Sequence, residues 1–220
     1  MRVPLKLKFY YFLSHFIQNK KTPNFSMDIP RDIRHGEEFS LEKLKKYLSE
    51  NSISNENLSL KQFPSGYSNL TYFLESSSKQ FVLRRPPFGA KSLQGGHDML
   101  REYNVLKNLK SQFSKVPDVF LYCENDDILG APFYLMERVE GYIIRPNLQQ
   151  KDSPGSDIIQ NVSKSLVSTL VELHNVNIEQ ANLKDLGNIN GYVKRQVEGW
   201  IKRYNHSKTD TIVNMDFISS

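Results

Sequence analysis

The hydrophobic positions change period along this chain, and the changes outline its elements. Leu41, Leu44, Tyr47 and Leu48 share one helical face over 41–50, behind Ser40, a residue suited to cap a helix start. Stretches with strand character follow at 58–63, 69–75 and 80–85, separated by Pro64-Ser65-Gly66-Tyr67-Ser68 and Ser76-Ser77-Ser78-Lys79, both of turn composition. Pro86-Pro87-Phe88-Gly89 ends the third strand, because proline cannot donate to a ladder. Helical spacing returns over 97–113 at Leu100, Tyr103, Leu106, Leu109 and Phe113. Two more strands fit 119–124 and 132–139, around a turn at Asn125-Asp126-Asp127.

Turns this short imply an antiparallel sheet, and the pattern predicts one helix packed on it. After Gly141 the texture changes. Residues 142–155 read as loop. Ile159, Val162, Leu166, Leu170 and Leu173 then mark one amphipathic helix, and Val193, Val197, Trp200, Ile201 and Tyr204 mark another. A short third helix fits 211–220. There is no internal repeat. The expected class is α+β in two lobes: a sheet lobe over 31–140 and the first helices of a helical lobe over 141–220, behind a basic tail over 1–30.

Charge sharpens this picture. The 220 residues carry a net +5, but residues 1–26 hold five cations (Arg2, Lys6, Lys8, Lys20, Lys21) and no acid. The remainder is neutral overall, which argues against a domain that tracks nucleic-acid phosphates. No apolar run approaches the roughly 18 residues of a membrane span, and a single cysteine, Cys123, excludes a disulfide framework. The expected compartment is cytoplasmic. The stretch Phe9 to Ile17 behind the basic residues leaves a membrane-surface role open for the tail. Met27 offers an alternative start that would place 1–26 outside the protein.

Four features could carry chemistry. The tip around Ser65, Gly66, Tyr67, Ser68 and Asn69 can bring backbone N–H groups to an anion, or can be a plain hairpin. Strand alternation puts Arg84 on the face of Val82 and Arg85 on that of Leu83. An inward arginine needs an anion; alternatively the strand end is exposed and both arginines are solvated. Glu102 shares the apolar helix face of Val105, Leu106 and Leu109, or sits at its boundary. Arg84 and Glu102 are thus opposite charges in unsuitable places on adjacent elements, and each supplies the other's counter-ion. Finally, the strand from Phe133 to Val139, with Met136 and Glu137, runs to Glu140-Gly141 and exposes backbone groups where the lobes meet.

A glycine turn, a strand cation, a helix glutamate 18 residues on and a Met-Glu-x-Val-x-Gly crossover follow the order of a protein-kinase-like nucleotide lobe. The segments SGYSNLTY (65–72), FVLRRPP (81–87), REYNVLKNL (101–109), GAPFYLMERVEG (130–141) and GYVKRQVEGW (191–200) resemble the aminoglycoside-phosphotransferase-like family. Within it they are most similar to the kinase-like domain found fused to acyl-CoA dehydrogenases and to its free-standing bacterial relatives. The resemblance implies ATP, with Mg in the intact parent, and transfer of the γ-phosphate to a small-molecule hydroxyl, of hydroxyacyl-CoA type. It implies that 65–69 cover the phosphates, that Arg84 reaches the α- and β-phosphates where most relatives of the fold place lysine, and that Glu102 orients it. Met136 would back the adenine, the Glu137 carbonyl would accept from its amino group, and the Val139 N–H would donate to its ring.

The same resemblance implies an H-G-D-x-x-x-x-N loop and a later metal-binding aspartate, and the 220 residues contain neither pattern. His97-Asp98, His174, Asp185 and the trio His206, Asp210, Asn214 all have the wrong spacing. The expectation is a C-terminally truncated parent and a chain without turnover. Its apolar stripe at 159–173 would forfeit about 1.5–3 kcal/mol per uncovered side chain and leave the chain aggregation-prone unless a downstream fragment covers it. The alternative is a non-catalytic, pseudokinase-like nucleotide-binding or interaction module, or one part of a split enzyme.

Overall fold

The computed structural model describes residues 29–54, 56–64, 68–89, 97–141, 155–187 and 190–207. The basic tail over 1–26, the tip residues Ser65, Gly66 and Tyr67, the loop over 142–154 and the helix expected over 211–220 lie outside them.

Ser40 caps α1 (Leu41–Glu50): its hydroxyl accepts from the Lys43 N–H at 3.2 Å, and Leu44 and Leu48 turn inward. Strands β1 (Ser59–Gln62), β2 (Leu70–Glu75) and β3 (Gln80–Arg85) follow as a meander. Asp98 opens α2 (Met99–Leu109), with its carboxylate accepting from Arg101 N–H at 2.9 Å. After β4 (Val119–Cys123), the expected turn is a single helical turn, α3 (Asp126–Leu129). The Asn125 side chain caps it by accepting from Asp127 N–H at 2.8 Å, and Gly130 ends it in the left-handed region at φ 79°. Then comes β5 (Phe133–Glu137).

The five strands lie in the order β1-β2-β3-β5-β4, every neighbouring pair antiparallel. Two helices flank the sheet, where the sequence pattern predicts one. Leu44 and Leu48 of α1 join Tyr72, Leu74, Phe81, Leu83, Phe133 and Leu135 in the main buried cluster. The opposite face, carrying Val82, Arg84, Tyr134 and Met136, meets α2. There the Tyr103 ring lies 5.8 Å from Tyr122 and 6.4 Å from Tyr134, centroid to centroid. The amphipathic pattern of α1 is visible in sequence, but not that the sheet has a second apolar face to receive it.

Beyond the sheet lie α4 (Ser156–His174) and α5 (Tyr192–Ser207). The segment between them docks on α2: Arg101 donates to Leu186 O at 2.9 Å, Asn108 to Asn182 O at 3.1 Å, and Ala181 is buried. Lys115 reaches α4 at Thr169 and Glu172. No side chain of α4 is buried, and Leu166 is 68% exposed. Ile159, Val162, Leu170 and Leu173 are exposed with it, as are Val193, Val197 and Trp200 of α5. No helix among the described residues is long and apolar enough to cross a membrane.

Glu56 clasps the β2–β3 turn. Its carboxylate accepts from the hydroxyls of Ser77 and Ser78, each at 2.6 Å, and from the Ser78 N–H at 3.1 Å. These bonds, those from Ser77 foremost, hold its pKa down at about 2. A lowered folded-state value stabilises above the ordinary carboxylate range, and the contribution fades as pH falls toward 2. An NMR titration of the Glu56 side-chain carboxyl is expected to find a midpoint well below the ordinary 4.5 in the wild type. In Ser77→Ala/Ser78→Ala the midpoint returns toward the ordinary value.

Candidate functional site

The α2-facing side of the sheet carries a row of residues set by register. Arg84 stands opposite Thr71 on β2 and Tyr134 on β5, and Tyr134 stands opposite Tyr122 on β4. Glu102 projects from the first turns of α2 toward this row. Its Oε2 lies 3.2 Å from Arg84 Nε. The two form an ion pair without the alignment of a hydrogen bond, and Nε, itself shielded from solvent, has no hydrogen-bond partner among the described residues.

The carboxylate is answered from three strands or their ends. Tyr134 O–H donates to Oε2 at 3.0 Å, and Asn69 Nδ2, just before β2, donates to Oε1 at 2.8 Å. Asn69 Oδ1 in turn lies 2.7 Å from His97 Nδ1. A carboxylate on an apolar helix face loses hydration, and donors brought by the fold offset that loss. Tyr134 is buried, which pushes its hydroxyl far above the ordinary phenol value; Arg84 opposes the rise and Glu102 adds to it. About a third of each of the Arg84 and Glu102 side chains remains exposed, so the pair sits at the rim of the helix–sheet interface.

The adjacent arginine behaves differently. Arg85 is 1% exposed, on the α1 side. Its Nη1 donates to Leu129 O at 2.8 Å, its Nε to Pro86 O at 3.1 Å, and its guanidinium lies 3.7 Å from the Phe88 ring centroid. Burial lowers its pKa from the ordinary value. The reading of a strand end with both arginines solvated is therefore overturned: carbonyls of neighbouring turns, which sequence does not reveal, receive Arg85.

The remaining residues singled out in sequence fall around this pair. Ser68 is exposed, whereas Asn69 is buried at 6% and committed to Glu102 and His97. Ser65, Gly66 and Tyr67 lie outside the described residues. Met136 is half-buried on β5. Glu137 ends the strand, its carboxylate accepting from Asp118 N–H at 3.2 Å, and Val139 beyond it is 66% exposed. Sequence reasoning missed Tyr134 and Asn69 as partners of Glu102, and His97 as the partner of Asn69. Tyr134 could be found only by knowing that β5 lies beside β3. A pocket of about 380 Å³ opens beside His97, between Pro86 to Gly89 and the start of α2; Arg84 is not in its wall.

The two arginines predict opposite phenotypes. Arg85→Met leaves buried carbonyl oxygens unpartnered at about 1–3 kcal/mol each and is expected to lower the urea midpoint clearly. Arg84→Met, in a partly exposed pair, is expected to change stability by less than about 1 kcal/mol. Paired urea melts followed by circular dichroism check both.

The model of the phosphotransferase enzyme family (APH) matches residues 59–217. Acyl-CoA dehydrogenase family member 11 of Rattus norvegicus is 37% identical over 202 residues, covering 88% of this chain and 26% of the relative. Acyl-CoA dehydrogenase family member 10 of Mus musculus is 32% identical over 201 residues, covering 91% of this chain and 18% of the relative. The chain thus spans about a quarter or less of the length of these relatives. Among solved structures, that of a candidate aminoglycoside phosphotransferase from Ralstonia eutropha superposes with a TM-score of 0.60 at 27% identity, over 80% of this chain and 50% of that one.

Proposed function

The chain belongs to the phosphotransferase enzyme family, and we propose that Arg84 and Glu102 form the phosphate-facing end of its nucleotide site. The observation that carries this reading is the state of Arg84. Its guanidinium is anchored by a carboxylate on one side, is partly exposed on the other, and keeps a shielded Nε with no hydrogen-bond partner among the described residues. A cation held this way is pre-positioned for an anion with several oxygens, such as a nucleotide polyphosphate. The donor set fits ATP.

In this reading Arg84 draws in the α- and β-phosphates and Glu102 fixes the angle of approach. The tip residues Ser65, Gly66, Tyr67, Ser68 and Asn69 close over the phosphates, with the Asn69 side chain turned inward as a brace. Met136 covers the adenine ring, the Glu137 carbonyl accepts from its amino group, and the exposed Val139 N–H donates to a ring nitrogen. Mg-ATP would supply the transferable γ-phosphoryl group, and a small-molecule hydroxyl would receive it. Relatives named as acyl-CoA dehydrogenase family members favour an acceptor of hydroxyacyl-CoA type over an antibiotic.

One observation favours a second, narrower role for these 220 residues themselves. They contain no H-G-D-x-x-x-x-N sequence to orient the acceptor hydroxyl and hold metal. On this second reading they bind nucleotide without turning it over, as a binding module or as one part of a split enzyme.

Titration with a fluorescent ATP analogue tests the site. The wild-type chain is expected to bind, and Arg84→Met and Glu102→Gln are each expected to weaken binding about tenfold, or about 1.4 kcal/mol. Leu166→Ser, on the exposed face of α4, leaves affinity unchanged. Absence of binding by the wild type at millimolar nucleotide, or equal binding by Arg84→Met, overturns the assignment.

A further inference from the structure

We propose that Asn69 and His97 are positioning residues for the Arg84–Glu102 pair, forming a relay in which His97 is held as its Nδ1–H tautomer. The inference follows from donor and acceptor rules. An ionised carboxylate only accepts, so the Asn69 atom 2.8 Å from Glu102 Oε1 is the amide nitrogen. The amide oxygen is then the atom facing His97, at 2.7 Å. An amide oxygen also only accepts, so His97 Nδ1 carries the hydrogen. With the carboxylate ionised and the ring neutral, no other assignment of the three groups satisfies both contacts.

The placement of these residues gives the relay its purpose. Asn69 immediately precedes β2, and His97 immediately precedes Asp98, the cap of α2. The bonds therefore tie the start of the strand to the start of the helix that carries Glu102. Asn69 is 6% exposed, so water does not readily replace a lost partner. With Oε1 taken by Asn69, the carboxylate is turned so that Oε2 faces Tyr134 and Arg84. Release of Oε1 frees the carboxylate to rotate and Arg84 to swing away. The effect on nucleotide rests on the reading of Arg84 given above; the relay itself does not.

Long-range proton–nitrogen NMR of the ¹⁵N-labelled 220-residue chain reads the tautomer directly. At mildly alkaline pH the ring nitrogens of His97, identified by their loss in His97→Asn, should show Nδ1 protonated and Nε2 bare. Asn69→Ala should abolish that preference. In titrations with the fluorescent ATP analogue, Asn69→Ala and His97→Leu are expected to weaken binding about fivefold. His97→Asn, whose amide N–H can replace Nδ1–H, should restore most of the loss. Thermal melts by circular dichroism establish that each variant is folded, and the wild-type tautomer stands as a test even if one is not. A His97 ring protonated only on Nε2 overturns the relay, as does wild-type affinity in both Asn69→Ala and His97→Leu. If the wild type binds no nucleotide but shows the Nδ1–H ring, the relay stands and the nucleotide assignment falls.

Discussion

A carboxylate placed on the apolar face of a helix has to be met by donors, and the arrangement of this molecule around Glu102 follows from that requirement. Arg84 comes from β3, Tyr134 from β5 and Asn69 from the residue before β2, all converging on two oxygens. Each donor depends on an element being where it is. The sheet order brings β5 beside β3, so Tyr134 and Arg84 are cross-strand neighbours. The Asp98 cap sets where α2 begins, and so which turn carries Glu102. Phosphotransfer depends on positioned charge more than on covalent chemistry by the protein, so a family that performs it has reason to keep such an arrangement rigid.

The sheet's alternation allows two neighbouring arginines to serve different ends. On one face, Arg84 is about a third exposed beside a carboxylate. On the other, Arg85 is sealed among carbonyls and an aromatic ring, linking β3 to α3 and to the proline turn. One stabilises the fold and the other is left available. A lysine could hardly replace either equally well, since a guanidinium presents several donors in fixed directions and an ammonium does not.

Much of this could be read along the chain. The strands, the Ser40 cap and the meeting of residues 84 and 102 announce themselves because charged residues interrupt an otherwise regular apolar period. What stays hidden depends on three-dimensional neighbours. Asn69 looks like one more turn residue until its amide is seen facing a carboxylate. His97 stands out in sequence only as half of a failed catalytic pattern. The partners of Arg85 are main-chain carbonyls, which carry no residue signature at all. The second flanking helix was visible as an amphipathic segment, but the face that receives it emerges only once the strands are ordered.

The convergence on Glu102 also limits how the molecule can move. In a cleft whose helix carries a single tether, an outward swing breaks one contact and can serve as a resting state. Here the same swing would sever the partly buried bonds to Asn69 and Tyr134 together with the attraction to Arg84, at about 1 kcal/mol for each bond lost. The start of the helix is therefore held by several contacts at once. Any outward movement of the helix carries the cost of all these contacts together, because all of them meet on its one carboxylate.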